Sequence, residues 1–370
     1  MSEYQYYEFQ TIDRPLTERE RAEIGELSSR VALTPTQAVF TYQFGDFRGD
    51  PEKVLARYFD AMLYLANWGT RQLLFRFPKS LIDLKQVEPY CVEDSVEFKS
   101  SGHTVILDIR FDKEEGIGWV EGEGLLSSLI ELRDDILRQD YRALYLAWLK
   151  AISLGDMDEE TEEPPVPPGL RTLSSALRAF IDLFEIDPHL VSAAAQSSGE
   201  EKPISEEALL EAISKLSPEE RDDYLLRLVR GEPHLSAEMN VRLRESIAQP
   251  KRELRPRRTI AQLLADAAQA RERERRKRER EAEAKRIKAI EALARREEQA
   301  WQEVDALIQK SNAKGYQEAI RLLSDLRDVA AHRHTETMFQ KRLNWIYQHY
   351  RSRHALMDRL RRAGLNPQDE

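Results

Sequence analysis

The sequence predicts an α+β N-terminal domain followed by an all-α region carried on one long, highly charged helix. Three observations predict it. Val105, Leu107 and Ile109 alternate with Thr104, Ile106 and Asp108, the period of a strand. After residue 170 the apolar residues recur at three- and four-residue spacing. From Thr259 to about Lys310 there is neither Pro nor Gly, and Arg271–Glu281 is almost wholly charged.

Taken in order, Tyr4–Phe9 is aromatic and reads as a strand ended by Pro15. Thr17 and Glu20 form a capping-box pattern that opens a helix through about Ser29. Ala38–Phe47 is the next strand, and Gly45 to Pro51 a turn. Asp50-Pro51 then starts a helix expected to run to about Asn67, because Val54, Leu55, Tyr58, Met62 and Leu65 share helical spacing. Strands follow at Arg71–Phe77, Val92–Phe98 and Thr104–Phe111, with Gly102 turning a hairpin. Gly122–Ile152 reads as a long Leu-rich helix. Residues 1–154 therefore form one α+β domain, an antiparallel or mixed sheet covered by helices.

Residues 155–169 are expected to be a linker, with an acidic run to Glu163 followed by Pro164, Pro165, Pro167 and Pro168. Residues 170–249 read as a small helical domain. Its helices are Leu173–Phe184, Ser205–Leu216, one opened by Ser217-Pro218-Glu219-Glu220 and Ser236–Ile247. The Ser217 helix is expected to bury Tyr224, Leu225, Leu228 and Val229 and to stop at Pro233. Residues 250–258, bracketed by Pro250 and Pro256, make a basic hinge. The long helix of 259–310 would reach about 75 Å. Gly315 ends it, and residues 311–365 hold Tyr316–Ala331, Glu336–Tyr350 and Ala355–Ala363, packing back on it.

Composition narrows the class. A chain of 370 residues suggests two or three folded units, and 41% hydrophobic residues suffice for cores. The charged share of 33% exceeds the usual quarter, which points to long solvated helical surface. Cys91 is the single cysteine, so neither an internal disulfide nor a multi-cysteine zinc site is available. With no basic-then-apolar start after Met1-Ser2-Glu3-Tyr4 and no spanning apolar run, a cytoplasmic location without a membrane partner is expected. Net charge is −10 overall, yet residues 251–370 carry about 29 Lys and Arg against about 19 Asp and Glu. That half is near +10, which prompts the question of an anionic partner.

The opening Met1-Ser2-Glu3-Tyr4-Gln5-Tyr6-Tyr7-Glu8-Phe9-Gln10, with Asp13-Arg14-Pro15-Leu16, resembles a family of uncharacterised bacterial proteins. Later stretches are Leu216-Ser217-Pro218-Glu219-Glu220-Arg221, Leu225 to Gly231, Tyr316 to Arg327 and Leu360 to Leu365. Together they resemble the helical region that follows the finger in bacterial SWIM zinc-finger proteins. The first resemblance implies no assigned activity. The second implies a helical scaffold, without zinc because the finger's cysteines are missing. Gly315-Tyr316-Gln317-Glu318-Ala319-Ile320 also looks like part of a tetratricopeptide helix, but one match is not an array.

No phosphate loop, dinucleotide glycine pattern or serine elbow is present, and no cofactor is expected. His332 and His334 are two apart, and His349 and His354 five apart, poor spacings for chelation. Asp46, Asp50 and Glu52 lack calcium-loop spacing, and turn and helix-cap duty is expected of Asp50. Two candidate surfaces remain. Ile287, Ile290, Ala294, Trp301, Val304 and Ile308 form an apolar seam for a partner helix, from this chain or a second copy. Lys251, Arg252, Arg255, Arg257 and Arg258, with Lys341, Arg342, Arg351 and Arg353 near Trp345, Tyr347 and Tyr350, combine cations with rings as single-strand binding requires. Against nucleic acid, Glu272 with Arg276 and Glu274 with Arg278 make Arg271–Glu281 a self-supporting solvated helix. Trp345 follows Met338 by two turns, spacing that predicts burial. The sequence thus points to a non-enzymatic scaffold or adaptor in a bacterial protein assembly, binding protein partners through the N-terminal α+β domain and the helical C-terminal region. The alternative is a nucleic-acid-binding accessory protein acting through the basic half.

Overall fold

Alternating apolar residues in the first 111 positions build one antiparallel sheet. A computed structural model describes residues 4–112, 122–155, 157–200, 205–232, 234–247 and 257–367. The strands are β1 (Gln5–Gln10), β2 (Ala32–Leu33), β3 (Gln37–Tyr42), β4 (Ala61–Ala66), β5 (Arg71–Pro78), β6 (Val96–Ser101) and β7 (Thr104–Phe111). Their order is β2-β3-β1-β4-β5-β7-β6, every neighbouring pair antiparallel.

Pleating sends successive side chains to opposite faces. Tyr7, Phe9, Phe40, Met62, Leu74 and Ile106 meet α1 (Glu18–Gly25) and α2 (Pro51–Tyr58) through Ile24, Val54 and Leu55. Both helices start on side-chain caps: Thr17 in a full capping box with Glu20, and Asp50 accepting from the amides of Glu52 and Lys53. The other face presents Tyr6, Leu63, Leu65, Leu73, Phe75, Leu107 and Ile109 to a helical layer. After the short α3 (Leu84–Val87), that layer holds α4 (Leu125–Leu129), α5 (Glu131–Leu137), α6 (Arg142–Ser153), α7 (Ser175–Phe184) and α8 (Pro188–Ser197).

Several expectations are corrected here. The helix from Pro51 stops at Tyr58, and Met62 and Leu65 belong to β4, which pairs with β1 and β5. A six-residue apolar run buried on both faces fits either period. Tertiary pairing decides it, and Asp60 pins the strand entry by accepting from the amides of Ile12 (2.7 Å) and Asp13 (3.0 Å). The Gly122–Ile152 helix is three helices, and Gln139, with a left-handed φ of 64°, separates the second from the third. α8 was not anticipated; Asp187 caps it ahead of Pro188.

Residues 155–169 are not a free linker. Glu163 is buried, Tyr90 Oη donates to the Pro165 carbonyl (2.7 Å), and Ser198 Oγ donates to that of Pro167 (2.7 Å). Leu170, Phe180 and Phe184 join the core under the sheet, so 170–200 completes the first domain. Only α9 (Glu206–Ser214), α10 (Pro218–Val229) and α11 (Leu235–Ser246) have a small core of their own: Ala212, Leu216, Tyr224, Leu235 and Leu243. Of the Ser217 helix, Tyr224 is buried while Leu225, Leu228 and Val229 are exposed, and Pro233 lies outside the described residues.

The chain divides into Met1–Arg271 and Glu272–Glu370, within α12 (Ile260–Arg295). The long helix is shorter than expected: its 36 residues correspond to about 54 Å. It breaks at Arg296, whose φ of −118° is not helical, before α13 (Glu297–Gln309). The break lets Leu293 and Ala294 on one side and Ala300 and Trp301 on the other enter the same core. Along the solvated part, the Glu272–Arg276 and Glu274–Arg278 pairs form.

After α13 come α14 (Ala313–Arg333), α15 (Glu336–His349) and α16 (His354–Arg362). The reversal is made not by Gly315 but by Ser311, with φ 52°, and the Asn312 cap. Gly315 lies in the first turn of α14, where a Cβ would stand 2.7 Å from the Leu307 carbonyl oxygen. Gly315→Ala is therefore expected to destabilise the second unit by roughly 1–3 kcal/mol, because backbone and not a flexible side chain must give way. Urea unfolding followed by Trp fluorescence checks this; an unchanged midpoint would refute the clash.

One carboxyl in the first unit titrates near neutrality. Burial, aided by the neighbouring Asp140, pushes Asp135 up to about 6. Its contribution to stability is thus full below the unfolded value near 4 and is lost as pH rises through about 6. Asp135→Asn should raise stability at pH 7.5 by on the order of 2 kcal/mol, with little gain at pH 4. Equal effects at both pH values would contradict this.

Candidate binding groove on the C-terminal unit

The apolar residues of α15 fall into two stripes. Phe339, Leu343, Ile346 and Tyr350 are buried against α13 and α14. The second stripe, Met338, Arg342, Trp345 and His349, turns outward. Met338 is 60% and Trp345 51% exposed, against the burial expected from their spacing. A seven-residue interval places two residues on one side of a helix but does not say which side meets the core.

Between α13 and α15 lies a groove of about 360 Å³. Trp301, Val304 and Ile346 give it an apolar floor, and Glu298, Asp305 and Arg342 line its sides. Arg342 Nη2 donates to Glu298 Oε2 (2.6 Å) and its guanidinium lies 5.2 Å over the Trp301 ring. Trp345 stacks on His349, with centroids 4.6 Å apart and planes at 11°, and Tyr350 meets both edge-on. Tyr350 Oη donates to Asp305; burial first and this bond second push the phenol pKa up. Trp301 is nine-tenths buried, and its indole N–H finds no acceptor.

The predicted seam lies in the same unit. Ala294, Trp301, Val304 and Ile308 are buried, Ile290 packs on the core and Ile287 is half-buried. Ala294, Trp301, Val304 and Ile308 share that core with Ala319, Leu323 and Leu326 of α14 and Phe339 and Leu343 of α15. Glu297, which interrupts the seam, pairs with Arg333 (3.3 Å).

The predicted cationic set is dispersed in its roles. Lys251, Arg252 and Arg255 lie outside the described residues. Arg257 is exposed, but Arg258 is committed to the buried Glu163 carboxylate (2.9 Å). Arg342 is paired as above, and Arg353 donates to the Ile308 carbonyl while lying 5.0 Å over Tyr350. Lys341 and Arg351 are exposed. Sequence reasoning thus named Arg342 without its groove. A signal was present: the Phe339 stripe is apolar throughout, whereas the Met338 stripe contains Arg342 and His349.

Other candidates recede. Burial pushes the Cys91 thiol up to about 11, so little thiolate forms at neutral pH. Among the described residues no group of three His, Cys, Asp or Glu is placed to hold a metal ion, and no helix is long and apolar enough to cross a membrane. Comparisons with family models, curated proteins and solved structures find no match.

Proposed function

We propose that this protein is a non-enzymatic adaptor that holds a segment of a protein partner in the α13–α15 groove. The observation that carries this reading is the half-exposed Trp345 braced on His349 at the edge of an apolar floor. Trp, Tyr and Arg dominate binding hot spots, and a braced indole loses little conformational entropy on contact. Glu298 and Asp305 line the groove and repel phosphate, so a peptide fits it better than a nucleic-acid strand.

The nucleic-acid reading draws on exposed Lys341, Arg351 and Trp345. One experiment separates the two. Full-length protein, its Trp345→Ala variant and a Phe44→Ala control on the other unit serve as baits in the native host, with and without nuclease. The expected result is a protein set that survives nuclease, is retained by Phe44→Ala and is lost with Trp345→Ala. Recovery that collapses with nuclease, or that ignores Trp345, would overturn the adaptor reading at this groove.

A further inference from the structure

The second half of α10 exposes apolar residues that its own small core does not use. Leu225 is 60%, Leu226 49%, Leu228 64% and Val229 85% exposed, whereas Tyr224 on the opposite side is buried. Contiguous leucines on a surface mark an interaction site. The helix does not need this face to stay in place. Tyr224 packs with Leu216, Leu235 and Leu243, Arg227 donates to Glu238 (2.9 Å) and Glu232 (2.8 Å), and Glu220 pairs with Arg242 (2.8 Å).

The charges bordering this face say what covers it. At about 100° per residue, Asp222, Leu225, Leu226, Val229 and Arg230 follow i, i+3, i+4, i+7, i+8 and share one side. Asp222 stands at the N-terminal end of the stripe and Arg230 at its C-terminal end. Both are exposed, and neither forms an ion pair among the described residues. Leu226 lies midway between them. We propose that this face pairs antiparallel with the same face of a second copy of the chain, about a two-fold axis at Leu226. Each Asp222 then meets the partner's Arg230, the leucines interdigitate, and the helix dipoles run in opposite directions. A parallel copy would set Asp222 against Asp222, and an unrelated partner would not need a stripe whose ends complement each other. The pairing is independent of the groove on the C-terminal unit. One short helix per copy makes a small interface, so association on the order of micromolar is expected.

Sedimentation velocity of the full-length protein from about 1 to 200 µM brackets that affinity. The wild type should shift from monomer toward dimer across the range. Leu226→Glu places like charges on the axis and should weaken the dimer by at least about tenfold, with unchanged circular dichroism. Asp222→Arg should weaken it too, and Asp222→Arg combined with Arg230→Asp should restore it. A wild type that stays monomeric at the highest concentration, or a dimer indifferent to Leu226→Glu, would overturn the proposal. A double variant no better than Asp222→Arg alone would overturn the antiparallel register.

Discussion

Arg133→Met is expected to cost the first unit about 3–5 kcal/mol, the range for removing one partner of a buried ion pair. Arg133 is 1% exposed. Its two Nη atoms donate to the two carboxylate oxygens of Asp13, both at 2.9 Å, and its Nε donates to the Arg76 carbonyl (2.8 Å). The guanidinium also stands 3.9 Å from Asp60, which pairs with Arg76. These bonds join α5, β5 and the chain leaving β1. Methionine fills the volume but leaves the Asp13 carboxylate with His234 (2.9 Å) as its remaining side-chain donor. Burial alone would raise the Asp13 carboxyl; the His234 bond and the Arg133 charge outweigh it and hold it well below the usual range. This stability is therefore present above the unfolded value near 4 and is lost as pH falls toward and below it. Urea unfolding at pH 7 and pH 3.5 checks both statements. A wild-type to Arg133→Met difference below about 1 kcal/mol at pH 7 would show the cluster to be nearly neutral.

Glu163→Ala is expected to be of similar size, about 3–5 kcal/mol, and to act first at the start of α12. Glu163 is 3% exposed and accepts from Arg258 Nε and Nη2 (both 2.9 Å) and from Tyr145 Oη. Its amide donates to the Arg258 carbonyl (2.8 Å), and Ile260 N donates to the Thr161 carbonyl (3.0 Å). The proline-rich segment thus clasps the chain where α12 begins. Without the carboxylate, Arg258 keeps only Asp266 (3.2 Å) and the Ala193 carbonyl (3.3 Å). Hydrogen exchange should speed up in the first turns of α12 before the sheet is affected. Uniform acceleration across the sheet would instead mean that the clasp and the core open as one cooperative unit.

Neither cluster was legible in the sequence, because its members lie far apart along the chain: Asp13 with Arg133, Glu163 with Arg258. The reading of 155–169 as a linker failed for the same reason. Pro and Asp/Glu runs specify a stiff, polar segment; that Tyr90 and Ser198 wait to bond its carbonyls is not written locally. Where a local rule suffices, the reading is close to the structure. Thr17, Asp50 and Ser217 cap their helices, and the alternation of Thr104–Phe111 makes β7. These depend on neighbours within a few residues.

What the sequence determined by itself is the class: an α+β first part, a helical remainder, and a solvated helix sustained by its own i,i+4 ion pairs. Periodicity, caps and charge spacing carry that information because they are local. What the tertiary structure decided is which of two equivalent stripes turns inward. Met62 and Leu65 entered a strand because β1 and β5 flank them. On α15 the Phe339 stripe took the core and left Trp345 outside, and on α10 Tyr224 took it and left Leu225 and Leu226. Apolar spacing specifies that a face exists; only the packing of distant elements determines whether that face is covered within the chain or left to a partner.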